Sequence, residues 1–256
     1  MPQFITESLI AGILASLACG LGALPLAIRG IDLRKHTGLA YSAAGGLMFA
    51  ASVYNLILPG LTITSSHIQL SDALPVVVGI LLGALFLSQV DRYFSPERLE
   101  HGNWKRWGNK AQILIFIAMA VHSIPEGVAV GVGYASSAVY DNELGNYIAL
   151  AIALHNIPEG LAVAVPMRAA GASIWRCFWA ACLTSVPQPI AAVPAAYLSW
   201  LFQPIMPILM GFAAGAMIFL VILELIPEAL HSSSPIKVAW AFSIGFCAMI
   251  LVQVLL

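Results

Sequence analysis

The 256-residue chain is 60% hydrophobic and 9% charged, with a mean hydropathy of +0.91. Soluble domains carry about 25% charged residues, so a soluble globular protein is excluded and an integral membrane protein is indicated. The net charge of −1 says little, because in a membrane protein the location of charge matters more than its sum, and no nucleic-acid partner is suggested.

About 20 apolar residues span a bilayer. Eight segments qualify: about 9–28, 37–58, 73–90, 111–135, 146–167, 177–201, 205–227 and 238–256. The expected fold is therefore all-α, a single polytopic domain over 1–256 with eight transmembrane helices. Glu7 is the lone charge before the first apolar run, whereas a cleaved leader would need a basic start, so span one is expected to be retained. Arg29, Arg34 and Lys35 follow span one, and Arg92, Arg98, Lys105, Arg106 and Lys110 follow span three. Arg168 and Arg176 follow span five, and Lys237 follows span seven, which completes the 11 Lys and Arg. Every base thus falls in an odd-numbered loop. The positive-inside rule then places both termini outside, extracellular or periplasmic, and residues 91–110 in a cytoplasmic loop between spans three and four. An odd number of spans, as in a seven-helix receptor, would spoil this alternation. Cys19, Cys177, Cys182 and Cys247 lie within or at the edges of spans without C-x-x-C spacing, and read as small packing residues.

The chemistry is concentrated mid-span. His122-Ser123-Ile124-Pro125-Glu126-Gly127 in span four is nearly repeated as His155-Asn156-Ile157-Pro158-Glu159-Gly160 in span five. At 3.6 residues per turn, His122 shares a helix face with Glu126, and His155 with Glu159. One lone intramembrane His or Glu would be read as a helix-to-helix hydrogen bond. Packing does not demand both residues twice, and ionisable groups inside spans mark substrate paths, so the repeat points to a metal-translocation site. Two imidazoles and two carboxylates suit Zn²⁺, Fe²⁺, Mn²⁺ or Co²⁺ rather than Cu(I). Pro125 and Pro158 also leave the carbonyls of Val121 and Leu154 without their helical donors. Freed backbone in lipid must face a cavity, water or a ligand. A weaker echo recurs in Thr184-Ser185-Val186-Pro187-Gln188 of span six and Glu224-Leu225-Ile226-Pro227-Glu228 of span seven.

With these motifs, eight spans and a cytoplasmic loop after span three, the chain resembles the ZIP family of divalent-metal transporters over essentially its whole length. The resemblance implies a metal centre built mainly from spans four and five, with His122, Glu126, His155 and Glu159 as core ligands. Met48 of span two resembles a position that adds a thioether ligand in bacterial members; a gap-filling core methionine is the alternative. Ser123, Asn156 and Gln188 stand where the family often supplies Asn, Asp and Glu to a second metal. Neutral oxygens attract a second dication less than carboxylates, so one well-occupied site is expected near His122, Glu126 and Glu159. Glu224 aligns with a family acid on the entry or exit path, and Leu223 occupies a position that some members fill with His. The resemblance further implies inward transport of Zn²⁺, with Fe²⁺, Mn²⁺, Co²⁺ or Cd²⁺ as other substrates, across the cytoplasmic membrane. The metal is substrate and no cofactor is implied. The implied mechanism is an elevator-like slide of spans one, four, five and six against two, three, seven and eight, commonly in a homodimer.

Other polar residues leave two readings open. Asn55, one heptad after Met48, faces the same path or bonds a neighbouring helix. Asp91 and Glu228, near span ends, guide cations or pair with nearby bases. His36, His67, His101 and His231 are expected to face solvent. An intramembrane metal-dependent hydrolase is the rival function, but the chain holds no H-E-x-x-H and no separate general base. A metal-gated signalling protein would need a soluble output domain.

Overall fold

The computed structural model describes residues 2–28, 37–63, 68–94 and 110–255. These residues hold helices and no strand, as spanning helices require: lipid offers backbone groups no partners, so each span satisfies its own. Span one is Gln3–Leu21, followed by a short 3₁₀ turn, Leu24–Ala27. Span two runs Thr37–Ala51, widens into a π-turn over Ser52–Ile57 and resumes as Leu58–Thr62. Span three is Leu70–Phe94, span four Lys110–Tyr140 and span five Leu144–Ala169. Span six is two helices in succession, Ile174–Thr184 and Pro187–Leu201. Span seven is Met206–Leu220, a π-turn over Val221–Leu225 and Ile226–Ser232, and span eight is Pro235–Leu255. Six of the eight are continuous, apolar and long enough to cross a membrane by length and composition. Span four, at 31 residues, and the broken span six complete the set.

Local chemistry ends the helices where the sequence changes. Between spans four and five, the Asn142 side-chain oxygen accepts from Leu144 N at 3.1 Å. Between five and six, Gly171 adopts φ 91°, a left-handed turn residue, and Ser173 caps the next helix by accepting from Arg176 N at 3.3 Å. Span three continues to Phe94 and span four begins at Lys110, so both ends of the expected 91–110 loop are helical. Residues 95–109, with His101, lie outside the described residues, as do His36 and His67.

The spans assemble into two sets. Spans one, four, five and six pack on one another, and spans two, three, seven and eight do the same, with spans two, three and seven meeting four and five along a seam. Glycines explain the tightness within each set. A Cβ at Gly160 would strike the Cys19 carbonyl, one at Gly127 the Gln188 carbonyl, and one at Gly131 the Ala192 carbonyl. In the other set, Gly46 meets Phe242, Gly245 meets Ala43, and Gly79 and Gly83 meet span seven. Small residues allow such backbone contact, which drives helix association in lipid. Among the described residues, none of these glycine approaches crosses between the sets. The seam is filled instead by side chains, including Met48 and Leu56 of span two, Ile148 and Ile152 of span five, and Met217 and Leu220 of span seven.

Candidate metal centre

Spans four and five run antiparallel, which brings their two hexapeptides to one depth. Pro125 and Pro158 lie inside continuous helices, so each motif keeps its i, i+4 face. Glu126, His155 and Glu159 offer ligand atoms that all lie within 4.8 Å of one another. His155 Nε2 is 3.2 Å from Glu126 Oε1. The three side chains are 1%, 0% and 7% exposed. Glu126 Oε2 and both Glu159 oxygens have no hydrogen-bond partner. Buried carboxylate oxygens are costly unless paired, and a divalent cation among them would pair all three ligands at once.

The expected trio contained His122; the trio brought together has His155 in its place. His122 Nε2 lies 3.3 Å from Glu224 Oε1 across the seam. It sits one turn from Glu126, about 6 Å along the axis. The i, i+4 pattern put both imidazoles on suitable faces and so did not itself favour His122, which was expected beside the two carboxylates. What sequence reasoning missed was the Glu224 contact, and its signal was Pro227. That proline cannot donate to the Leu223 carbonyl, and the helix widens into the π-turn that carries Glu224.

Residues 97–253 match the family described as ZIP Zinc transporter. The chain is 36% identical over 225 residues to Zinc transporter GufA of Myxococcus xanthus, covering 86% of this chain and 87% of that protein. It is 35% identical over 260 residues to Zinc transporter ZIPB of Bordetella bronchiseptica, covering 94% and 79%. To Zinc transporter ZIP11 of Homo sapiens it is 44% identical over 144 residues, 55% of this chain and 42% of that protein.

The chain belongs to the ZIP family of zinc transporters.

Membership in a family of multi-pass metal transporters makes the metal a substrate and sets aside the hydrolase reading. Within this ZIP chain, the three neutral residues expected at second-metal positions are held by one another and by backbone. Asn156 Nδ2 donates to the Ala15 carbonyl at 3.0 Å and to Gln188 Oε1 at 3.1 Å. The Ser123 hydroxyl reaches the Thr184 carbonyl at 3.2 Å, and the Ser16 hydroxyl reaches the Ser185 carbonyl at 2.8 Å. Those two carbonyls belong to the break in span six before Pro187, so Ser16 and Ser123 satisfy what the break exposes. Gln188 is fully buried and its backbone touches Gly127, beside Glu126.

The remaining residues fall along the seam or at its ends. Met48 is 2% exposed and packs in the cluster that holds Ile152 and Met217. Asn55 is 1% exposed in the span two π-turn. Asp91 is exposed at the end of span three, within electrostatic reach of Glu224. Glu228 and His231 are exposed near the end of span seven. Cys19, Cys177 and Cys182 are buried free thiols, in keeping with packing roles, whereas Cys247 is exposed.

Proposed function

We propose that this chain carries Zn²⁺, or another divalent transition metal, across the cytoplasmic membrane into the cytosol, with Glu126, His155 and Glu159 as the central ligands. The observation that carries this reading is the buried trio, in which Glu126 Oε2 and both Glu159 oxygens lack partners, set on a seam between two helix sets. From it a line of polar groups leads through His122 and Glu224 toward Asp91. The base-rich odd loops support placing that end in the cytosol and both termini outside. The Glu224 side chain is 37% exposed, whereas Asn55, on the terminus-bearing side of the trio, is 1% exposed. That contrast supports a cytosol-facing arrangement.

Movement of spans one, four, five and six as one body would move the trio between the two faces, the alternating-access solution. Glycine approaches that fasten each set internally support this division, since a sliding seam needs side chains rather than interlocked backbones. Of the six spans apolar and long enough to cross a membrane, three and eight have the smallest share of buried residues, 22% and 17%. Pairing of two copies through these faces would steady the stationary set. Met48, on that set, is positioned to add a thioether when the trio passes it. Chemically, the chain's contribution is to replace lost hydration with two carboxylates and an imidazole. Zn²⁺ uptake into liposomes holding the purified protein and an internal zinc indicator tests the reading. Uptake that saturates and disappears in Glu159→Ala is expected, and wild-type liposomes no faster than empty ones refute it.

A further inference from the structure

Spans one and five are fastened at one end and parted at the other. A Cβ at Gly160 would strike the Cys19 carbonyl, and one at Gly22 the Ile157 carbonyl, so the two backbones touch there. Toward the terminus-bearing face they leave a groove of about 330 Å³, within the range of roughly 300–1,000 Å³ that ligand pockets occupy. Every residue lining it belongs to spans one, four and five, so the groove lies inside one helix set and not on the seam. Ile148 and Ile152 pack into the seam, whereas Ala149 and Ala153, which line the groove, follow them by one residue, about 100° round the helix.

The groove is polar at one end and apolar along the rest. Glu7, Tyr134 and Asn146 stand at the polar end, and a floor of alanines runs from Ala11 to Ala15 and from Ala149 to Ala153. Glu7 to Ala15 covers eight residues, about 12 Å along the axis. Ile10 and Leu14, which also line the groove, are 51% and 58% exposed, so it opens along its length to the surface that lipid covers. The charge at the polar end is negative and unanswered. Gln3 Nε2 donates to Glu7 Oε1 at 2.8 Å, Asn146 Nδ2 to Glu143 Oε2 at 2.6 Å, and the Tyr134 hydroxyl to Asn146 Oδ1 at 3.0 Å. Glu7 and Glu143 are both within electrostatic reach of Tyr134. None of these partners is a cation, and no Lys or Arg occurs in span one or in the loops at this face. The helix N-terminus lowers the cost of the Glu7 charge without neutralising it.

We propose that this groove binds one phospholipid with a primary-amine headgroup, phosphatidylethanolamine, its ammonium held by Glu7 and Glu143 and an acyl chain lying between spans one and five. A primary ammonium brings positive charge and three donors, as that of lysine does. A choline headgroup has the charge and no donor, and a glycerol headgroup leaves the phosphate's negative charge facing two acids. The far end of the chain reaches Ala15, whose carbonyl accepts from Asn156 Nδ2, beside His155. The lipid thus fills a gap in the set that carries the trio and travels with that set. Its place in the outer leaflet rests on the reading that both termini lie outside; its binding does not depend on transport.

The test offers the full-length protein in detergent equal amounts of phosphatidylethanolamine, phosphatidylcholine and phosphatidylglycerol with identical chains, and reads the retained lipid by native mass spectrometry. Phosphatidylethanolamine is expected to be retained at least about fivefold over each of the others, the scale of one exposed ion pair. Glu7→Gln keeps the shape of the side chain and removes its charge, and is expected to erase that preference. Equal retention of the three lipids by wild type, or an undiminished preference in Glu7→Gln, overturns the proposal. Position is read without any variant, from phosphatidylethanolamine carrying a photoreactive group on its acyl chain. Cross-links in residues 7–15 and 146–153 are expected, and cross-links that fall on spans three and eight instead overturn it. Neither readout requires zinc uptake, so liposomes that take up no zinc would refute transport and leave the lipid site standing or falling on these results.

Discussion

Glu126→Gln should make the metal-free protein more stable and its response to zinc vanish. Glu126 and Glu159 are buried with ligand atoms within 4.8 Å. Two unit charges at that distance repel by about 3.5 kcal/mol at an effective dielectric near 20, the full amount applying at a pH where both carboxylates are ionised. The amide keeps the shape of the side chain and its contact with His155, yet removes the repulsion. For a chain of this size a gain of about 3.5 kcal/mol corresponds to roughly 7–14 °C in melting temperature. Zinc then separates the two proteins. At a hundred times its dissociation constant it should stabilise wild type by about 2.7 kcal/mol, whereas the variant has lost one of three ligands and should show no shift. Thermal unfolding of both proteins in detergent, with chelator and with zinc, gives four midpoints. The expected order in chelator is variant above wild type, with a zinc shift confined to wild type. A variant that melts below wild type in chelator, or keeps the full zinc shift, would refute the assignment of Glu126 as a repelled, metal-paired carboxylate.

Three further perturbations probe other parts of the site. Glu224→Gln should slow zinc uptake about tenfold and leave the stoichiometry of zinc binding unchanged, because Glu224 meets His122 across the seam rather than the trio; altered stoichiometry by calorimetry would move it into the centre. Gly160→Ala should lose at least about 1–3 kcal/mol through overpacking against the Cys19 carbonyl, seen as a lower melting temperature; an unchanged midpoint would mean that spans one and five are not fastened there. Gln188→Glu adds a third carboxylate beside Glu126, held by Asn156 Nδ2, and should either raise zinc stoichiometry toward two per chain or steepen the pH dependence of binding as protons compete for the added oxygens. Unchanged stoichiometry, affinity and pH dependence would place Gln188 apart from the site.

Much of this site was legible in the sequence because its signals are local. Apolar runs pointed to eight spans and charge placement to their orientation, while the i, i+4 repeats pointed to Glu126, His155 and Glu159 together with His122. What was not legible depends on partners far along the chain. Pro125 and Pro158 leave their helices continuous, Pro187 begins a new helix, and Pro59 and Pro227 follow π-turns. The residue is the same in all five cases. The outcomes differ because the surroundings do: Ser16 of span one and Ser123 of span four supply the bonds that the broken span six requires. Likewise, nothing near His122 in the sequence names Glu224. A π-turn holds one extra residue, which rotates the face beyond it by about a quarter turn, and only the folded chain shows where that rotation aims the carboxylate.

The distribution of unsatisfied groups then bears on why the seam is built as it is. Each buried polar atom without a partner costs about 1–3 kcal/mol, and a chain shaped for stability alone would replace such groups with apolar ones. Asn55, His122, Glu126, His155 and Glu159 all contribute such atoms, and they lie on or beside the junction of the two sets. Glycines fasten the helices within each set, while apolar side chains line the junction. A wholly apolar junction would be more stable, yet it would offer a dehydrating cation nothing in exchange for its water. A wholly polar one would flood or lock by hydrogen bonding. Sparse polar groups on an otherwise oily seam satisfy both demands, because they are unpaired when the path is empty and paired when the cation is present. The instability of the empty seam and its capacity to pass a cation thus have one physical origin, which is why neutralising Glu126 should raise stability while abolishing the response to zinc.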